Sequence, residues 1–259
     1  MHPTTTGRFR VHNRRPRPTG GVQGGENGEG DTPEEFVLVE LPEDRVDPTD
    51  ADAEELYDPL YASATGYDEA LAERVASLSP GTIVDATLAW ADGEARFETL
   101  AVVRETQFRF ADDIEGMFEA AVETWQRIRA EGEGVGSITT KSTDGEPNGA
   151  LYLFADPPGS DTFEEVTAGR LPIEPLIERV NETRADDAPR AVFVLRPAAH
   201  DFVAVYVVFE RDGVLARTVR DTYGLGGGLA AGIDELPDEG DGGTDDTDDD
   251  PEFDITDRL

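Results

Sequence analysis

Few side chains in this sequence can do acid–base or nucleophilic work. Histidine, the usual general base near neutral pH, occurs three times, as His2, His12 and His200. His200 stands beside Asp201 in Arg196-Pro-Ala-Ala-His-Asp201, between two apolar runs. A loop at the mouth of two buried strands can hold a site, so His200 and Asp201 are weak catalytic candidates. Adjacent strand residues point to opposite faces, which favours an ordinary turn there. Lys141 is the only lysine beside 21 arginines. An ammonium kept in such a chain could serve as nucleophile or as a point charge for an anion. Its setting, Ser137 to Glu146 with Asp144-Gly145, suits an exposed polar hairpin tip equally well.

Other chemistries fail on residue type or spacing. With no cysteine there is no disulfide, thiol nucleophile, Cys-ligated zinc or iron–sulfur cluster. The histidines lack zinc spacing, and the acids from Asp241 to Asp250 miss the EF-hand pattern, so no metal site is expected. Ser137 lacks a G-x-S-x-G context. Gly224-Leu-Gly-Gly-Gly-Leu-Ala-Ala-Gly232 lacks the lysine and hydroxyl of a phosphate loop and reads as a flexible exit, so no cofactor is expected.

Two segments are candidate binding elements. Arg8, Arg10, Arg14, Arg15 and Arg17 form a basic patch that could grip RNA or fold back on the chain's own carboxylates. Phe253, Ile255 and Leu259 follow an acidic spacer, as short docking motifs often do. The 259 residues carry 57 acids against 22 cations, a net charge of −35. That repels nucleic acid and anionic membranes, so nucleic acid is disfavoured and a protein partner is favoured. No apolar run reaches the ~18 residues of a membrane span, and no signal-type segment opens the chain, so a cytoplasmic protein is expected. Abundant carboxylates with almost no lysine suggest salt adaptation, the acids serving solvation rather than metal binding.

The elements that must position these residues divide on composition. Residues 1–32 read as a partly disordered Arg/Gly-rich segment with a first strand near 8–12. Residues 33–110 read as a mainly β half, 111–233 as an α+β half, and 234–259, with thirteen acids and one arginine, as a disordered tail. Phe36-Val-Leu-Val-Glu-Leu41 predicts a strand that can pair with 8–12. Tyr67, Leu71, Val75 and Leu78 predict a helix stopped by Pro80-Gly81. Val84, Ala86, Leu88 and Trp90 alternate before Asp92-Gly93, which predicts a hairpin whose return strand, at 100–103, is bulged or buried on both faces. Phe108 and Phe110 suggest a further strand. Ile114 through Ile128 form a helical stripe with Asp112 and Glu115 as a cap pair and Gly132 as its stop. Residues 150–154, 191–195 and 202–209 predict strands, Ile173 to Val180 a second helix, and 214–219 a strand after Asp212-Gly213. The expected class is α+β: antiparallel sheets with two main amphipathic helices, the first half reading as a generic antiparallel sheet in preference to the alternative, an OB-like or SH3-like small barrel.

Over nearly its full length the sequence resembles uncharacterised, acidic proteins of haloarchaea. The likeness lies in Gly7-Arg-Phe-Arg-Val11, the helix bearing Trp125, and Asn148-Gly-Ala-Leu-Tyr-Leu-Phe154. It implies a cytoplasm rich in potassium chloride and transfers no catalytic residue. The expected function is a non-catalytic binding or adaptor module. The alternatives are a small hydrolase or transferase using Lys141 or His200, and an RNA-associated protein with an Arg-rich arm.

Overall fold

The computed structural model describes residues 3–17, 33–41, 58–91, 93–184, 186 and 188–226. The candidates Phe253, Ile255 and Leu259, and the acidic tail, lie outside them. The first five strands close into a barrel in the order β1-β2-β3-β5-β4. They are β1 (Thr4–Pro16), β2 (Glu34–Glu40), β3 (Pro59–Ser63), β4 (Thr82–Ala91) and β5 (Glu94–Glu105), with helix α1 (Glu69–Ala76) between β3 and β4. Phe9, Val11, Phe36, Leu38, Val84, Leu88 and Phe97 fill the barrel, and Val75 and Leu78 plug it from the α1 side. Asp68 caps α1 by accepting from the Leu71 N–H at 3.2 Å.

The second sheet has the order β6-β9-β10-β8-β7. Its strands are β6 (Gln107–Ile114), β7 (Val135–Lys141), β8 (Pro147–Ala155), β9 (Ala191–Pro197) and β10 (Phe202–Val208). The helices are α2 (Glu119–Glu131), α3 (Thr162–Thr167), α4 (Glu174–Arg184) and α5 (Val214–Thr222). Strand β10 and residues 191–195 of β9 are apolar because both their faces are covered. Phe193, Leu195, Phe202, Ala204 and Tyr206 meet α2 and α5 through Trp125, Ile128, Ala216 and Val219. Val192, Val194, Val203, Val205 and Val207 meet α3 and α4 through Phe163, Val166, Ile177 and Val180.

Several expectations are corrected. The sheets are mixed, not antiparallel, because β6 runs parallel to β9 and Ala62 of β3 makes a parallel bridge to Ala95 of β5. Among the described residues five helices form: the short helix after Tyr67 and the two main helices read from the sequence, joined by α3 and α5. Residues 214–219 are helical, since Ala216 and Val219 lie three apart and reach the core together only on a helix. The central helix starts at Glu119, and Ile114 ends β6. Left-handed backbone at Asp113 (φ 51°) and Gly116 (φ 68°) breaks any earlier start, so Asp112 is no cap and Phe118 holds the N-cap position. Gly132 does stop that helix, at φ 75°. The β4–β5 ladder is bulged, but Val102 and Val103 are exposed rather than covered on both faces. Residues 137–146 do form an exposed hairpin, with 137–141 as the edge strand that leads into its tip at 142–146.

The helical layer of α3 and α4 lies between the second sheet and the barrel. Strand alternation explains why β1 serves both: Phe9 and Val11 point into the barrel, and Arg10 and His12 point out. His12 Nε2 donates to the Val166 carbonyl at 2.5 Å, and Asn13 Nδ2 to the Thr167 carbonyl at 3.2 Å. Glu174, in the first turn of α4, sets its carboxylate 3.6 Å from His12 Nδ1, an ion-pair distance longer than a hydrogen bond. His12 and Glu174 are both fully buried, and Arg10 is 2% exposed with its guanidinium over the Phe108 ring. A buried Arg10–His12–Glu174 cluster thus joins the two halves.

Candidate functional site

The pairings of β6, β9, β10 and β8 make β6, β8 and β9 run in one direction, so their carboxyl ends share one edge of the sheet. That edge is a favoured position for ligand crevices in sheets covered on both faces. A cleft of about 420 Å³ opens there. Each strand end supplies side chains: Asp112 and Asp113 from β6, Asp156 after β8, and Arg196 from β9, with His200 and Asp201 entering β10. The Asp156 N–H donates to the Asp201 carbonyl at 3.0 Å, and the Ala198 N–H to the Ile114 carbonyl at 3.0 Å, so the rim is tied across the strands.

Arg196 organises the cleft. It makes a two-pronged contact with Asp112, donates to Glu164 Oε1 at 2.8 Å, and lies 3.8 Å from Asp156 Oδ2. The guanidinium also sits over the Phe163 ring, 4.8 Å from its centroid. The hydrogen bonds that Arg196 donates to Asp112 and Glu164 raise its pKa, and the bond to Asp112 holds that carboxyl below its ordinary range. Arg196, the one arginine or lysine among the described residues lining the cleft, is therefore occupied by the chain's own acids. Asp156 has a different standing: its side chain is 5% exposed, and Oδ1 has no hydrogen-bond partner among the described residues. His200 stacks on Phe202, ring centroids 5.8 Å apart at 18°, next to Asp201 on the rim. No group of three His, Asp or Glu side chains among the described residues could hold a metal ion.

Residues 1–231 match the model of a family of unknown function, DUF6663. The chain belongs to this family. No curated protein and no solved structure matches it. Membership therefore brings no substrate, and the roles of residues rest on geometry. No helix among the described residues is long and apolar enough to cross a membrane.

The structure brings His200 and Asp201 into one cleft but places Lys141 at the far end of the same sheet. Lys141 pairs with Pro147 at the start of β8, whereas Ala155 at its end pairs with Phe202. Eight strand steps separate the two levels, roughly 25 Å at about 3.3 Å per residue, so Lys141 and His200 cannot act on one bond. Arg8, Arg14, Arg15 and Arg17 pair with acids of their own barrel. Arg8 donates to Asp85 at 2.8 and 3.0 Å, Arg14 pairs with Glu34, Arg15 with Glu35 at 3.0 Å, and Arg17 with Glu94. Arg10 is in the buried cluster. The Arg8 bond holds the Asp85 carboxyl below its ordinary value. Both side chains are half exposed, so Arg8→Gln should cost less than about 1 kcal/mol in denaturant titration.

Asp156 and Arg196 were not singled out by residue type. The signal was present in Asp156, an acid that directly follows the apolar run 150–154 and so falls at a strand's carboxyl end.

Proposed function

We propose that the chain is a non-catalytic binding module whose cleft at the ends of β6, β8 and β9 receives a cationic, hydrogen-bond-donating side chain of a protein partner. The observation that carries this reading is Asp156 Oδ1, a buried carboxylate oxygen in the cleft wall with no donor from the described chain. A buried acceptor left without a donor is costly, and an ammonium or guanidinium entering the cleft would supply one. The acids Asp113 and Asp201 on the same rim favour a positive charge, and Arg196 is already neutralised.

We read the barrel as OB-type. Its strand order, the parallel meeting of β3 with β5, and the helix between β3 and β4 support that reading. Oligonucleotide binding by this barrel is disfavoured. Arg14, Arg15 and Arg17 are engaged by Glu34, Glu35 and Glu94, and phosphates would have to displace those carboxylates. We read the carboxylate coat as salt adaptation, so binding is best measured in molar potassium chloride, where diffuse attraction is screened over about 3 Å.

The test is nuclear magnetic resonance titration of the labelled full chain with tri-arginine and tri-lysine peptides in that salt. Saturable shifts confined to residues around Asp156 and Asp201 are expected, with affinity about tenfold lower in Asp156→Asn. The exposed Glu73→Gln on α1 should leave affinity unchanged. Equal loss in both variants, or shifts spread over the surface, would remove the reading. Ester or phosphoester turnover abolished by His200→Ala would replace it with the hydrolase alternative.

A further inference from the structure

A second concavity, remote from the cleft, lies where α4 leaves the edge of the sheet uncovered. Helix α4 packs over β9 and β10 through Ile177 and Val180 but stops short of β7, leaving a pocket of about 290 Å³. Strand alternation turns Gly136 and Ile138 of β7 toward α2, and Ser137 and Thr139 toward the α4 side. The floor is apolar, made by Ala150, Val180 and Phe209. Its wall carries the hydroxyls of Ser137, Thr139, Tyr152 and Thr183 and the guanidinium groups of Arg179 and Arg184.

No acid among the described residues lines this pocket, although the chain as a whole carries a charge of −35. Arg184 is fixed by its place over the Phe209 ring, 4.4 Å from the centroid, and by Asp186 3.5 Å from its Nε. Arg179 makes no ion pair with the described residues, and its charge acts on the Tyr152 hydroxyl by lowering the pKa that burial raises. The Thr183 hydroxyl is spent on the Arg179 carbonyl at 2.8 Å, but two forked cations and the three other hydroxyls still offer more donors than the two oxygens of a carboxylate can accept. A phosphate monoester has enough acceptor oxygens, and Arg recognises it bidentately. The volume beyond the phosphate suits a small organic group on the apolar floor. The alternation also carries Lys141 onto the face of Ser137 and Thr139, at the open end of that row.

We infer that the pocket between α4 and β7 binds the phosphate of a small organic phosphomonoester, with Arg179 and Arg184 as its anion clamp. The site is separate from the cleft around Asp156, so either reading can fail alone. The test is calorimetric titration of the full chain in molar potassium chloride with inorganic phosphate, AMP and citrate as probes.

A saturable one-to-one isotherm is expected for phosphate, tighter for AMP, and absent for citrate. Arg179→Gln and Arg184→Gln should each weaken AMP about tenfold or more. Thr139→Val, which changes no charge, should weaken it a few-fold. Arg217→Gln, at an exposed position of α5 across the sheet, serves as the control for net charge and should leave affinity unchanged. No saturable heat with phosphate or AMP, citrate binding as tight as AMP, or equal loss in the Arg217 variant would each overturn the assignment. Arg184 also packs on Phe209, so a fold defect in its variant is judged against Arg179→Gln and Thr139→Val, which decide the question.

Discussion

Glu174→Gln should lower the stability of the full chain by about 3–5 kcal/mol, although it keeps the side chain's volume and changes a single atom. Glu174 is fully buried where the first turn of α4 meets the outer face of β1, and it faces His12 and Arg10, which are themselves buried. Removing the carboxylate takes from the seam between barrel and sheet the buried negative charge on which His12 and Arg10 act. For a domain pair of this size, such a loss corresponds to a fall of about 10 °C or more in the melting midpoint. The companion experiment replaces all three members, Arg10→Met, His12→Leu and Glu174→Leu, in one chain. Apolar replacement of a whole buried ionic cluster is commonly neutral or stabilising, so the triple variant should regain most of the loss. If it is as unstable as the single variant, shape complementarity and not charge compensation holds the seam. Guanidinium titration followed by far-ultraviolet circular dichroism measures both.

The same cluster predicts a dependence on pH. Burial alone would raise the Glu174 carboxyl, but His12 and the Arg10 charge outweigh it and hold the pKa below the ordinary 4.5. A carboxyl whose pKa is depressed on folding adds stability above its unfolded value. That contribution is lost as the pH falls below 4.5 and through the folded-state pKa. Many other acids titrate in this range, so the informative quantity is the difference between wild type and Glu174→Gln. That difference should be largest at neutral pH and shrink toward zero in acid. A difference independent of pH would show that the carboxylate's charge plays no part.

Local pattern reveals the elements whose packing is self-contained and hides the ones that depend on distant chain. The hairpin of β4 and β5, helix α1 and the doubly covered β9 and β10 follow from alternation, spacing and turn residues read over ten or so positions. Strand β7 does not, because its inward residues are Gly136, Ile138 and Thr140, and one apolar side chain makes no pattern. Residues 214–219 mislead because an Asp-Gly turn precedes valines at both ends, although Ala216 and Val219 already carry the helical spacing. The start of α2 is masked by an apolar stripe that continues through Ile114 and Met117, while Gly116 is the residue that forbids it. For the cleft, the strand-end loop of His200 is legible and its companions are not. Asp112, Asp156 and Arg196 meet only because β6, β8 and β9 lie in one sheet, up to 84 positions apart in sequence. The burial of His12 is illegible for the same reason: its hydrogen-bond partner Val166 is 154 residues away.

Gly81→Ala should be the most damaging single-methyl change among the described glycines, costing about 3 kcal/mol or more. Gly81 follows Pro80 at φ +96°, a conformation that L side chains rarely adopt. Its N–H donates to the Val11 carbonyl at 2.6 Å, while the Pro80 carbonyl accepts from the Phe108 N–H at 2.7 Å. The entry to β4 is thereby bonded at once to β1 of the barrel and to β6 of the second sheet. A Cβ at Gly81 would lie 2.4 Å from the Thr106 carbonyl oxygen, 2.7 Å from the Phe108 nitrogen and 2.8 Å from the Gln107 carbonyl carbon. All three are backbone atoms of the crossover from barrel to sheet, so no side-chain rotation can relieve the contact. Gly145, at the tip between β7 and β8, separates the two contributions. It has φ +83° with nothing within 4 Å of its added Cβ, so Gly145→Ala bears only the conformational cost, about 1–2 kcal/mol. The excess loss at Gly81, read from parallel denaturant titrations, measures how firmly residues 106–108 are held against the start of β4. Equal losses at the two positions would mean that this crossover yields freely and that the barrel is not braced there.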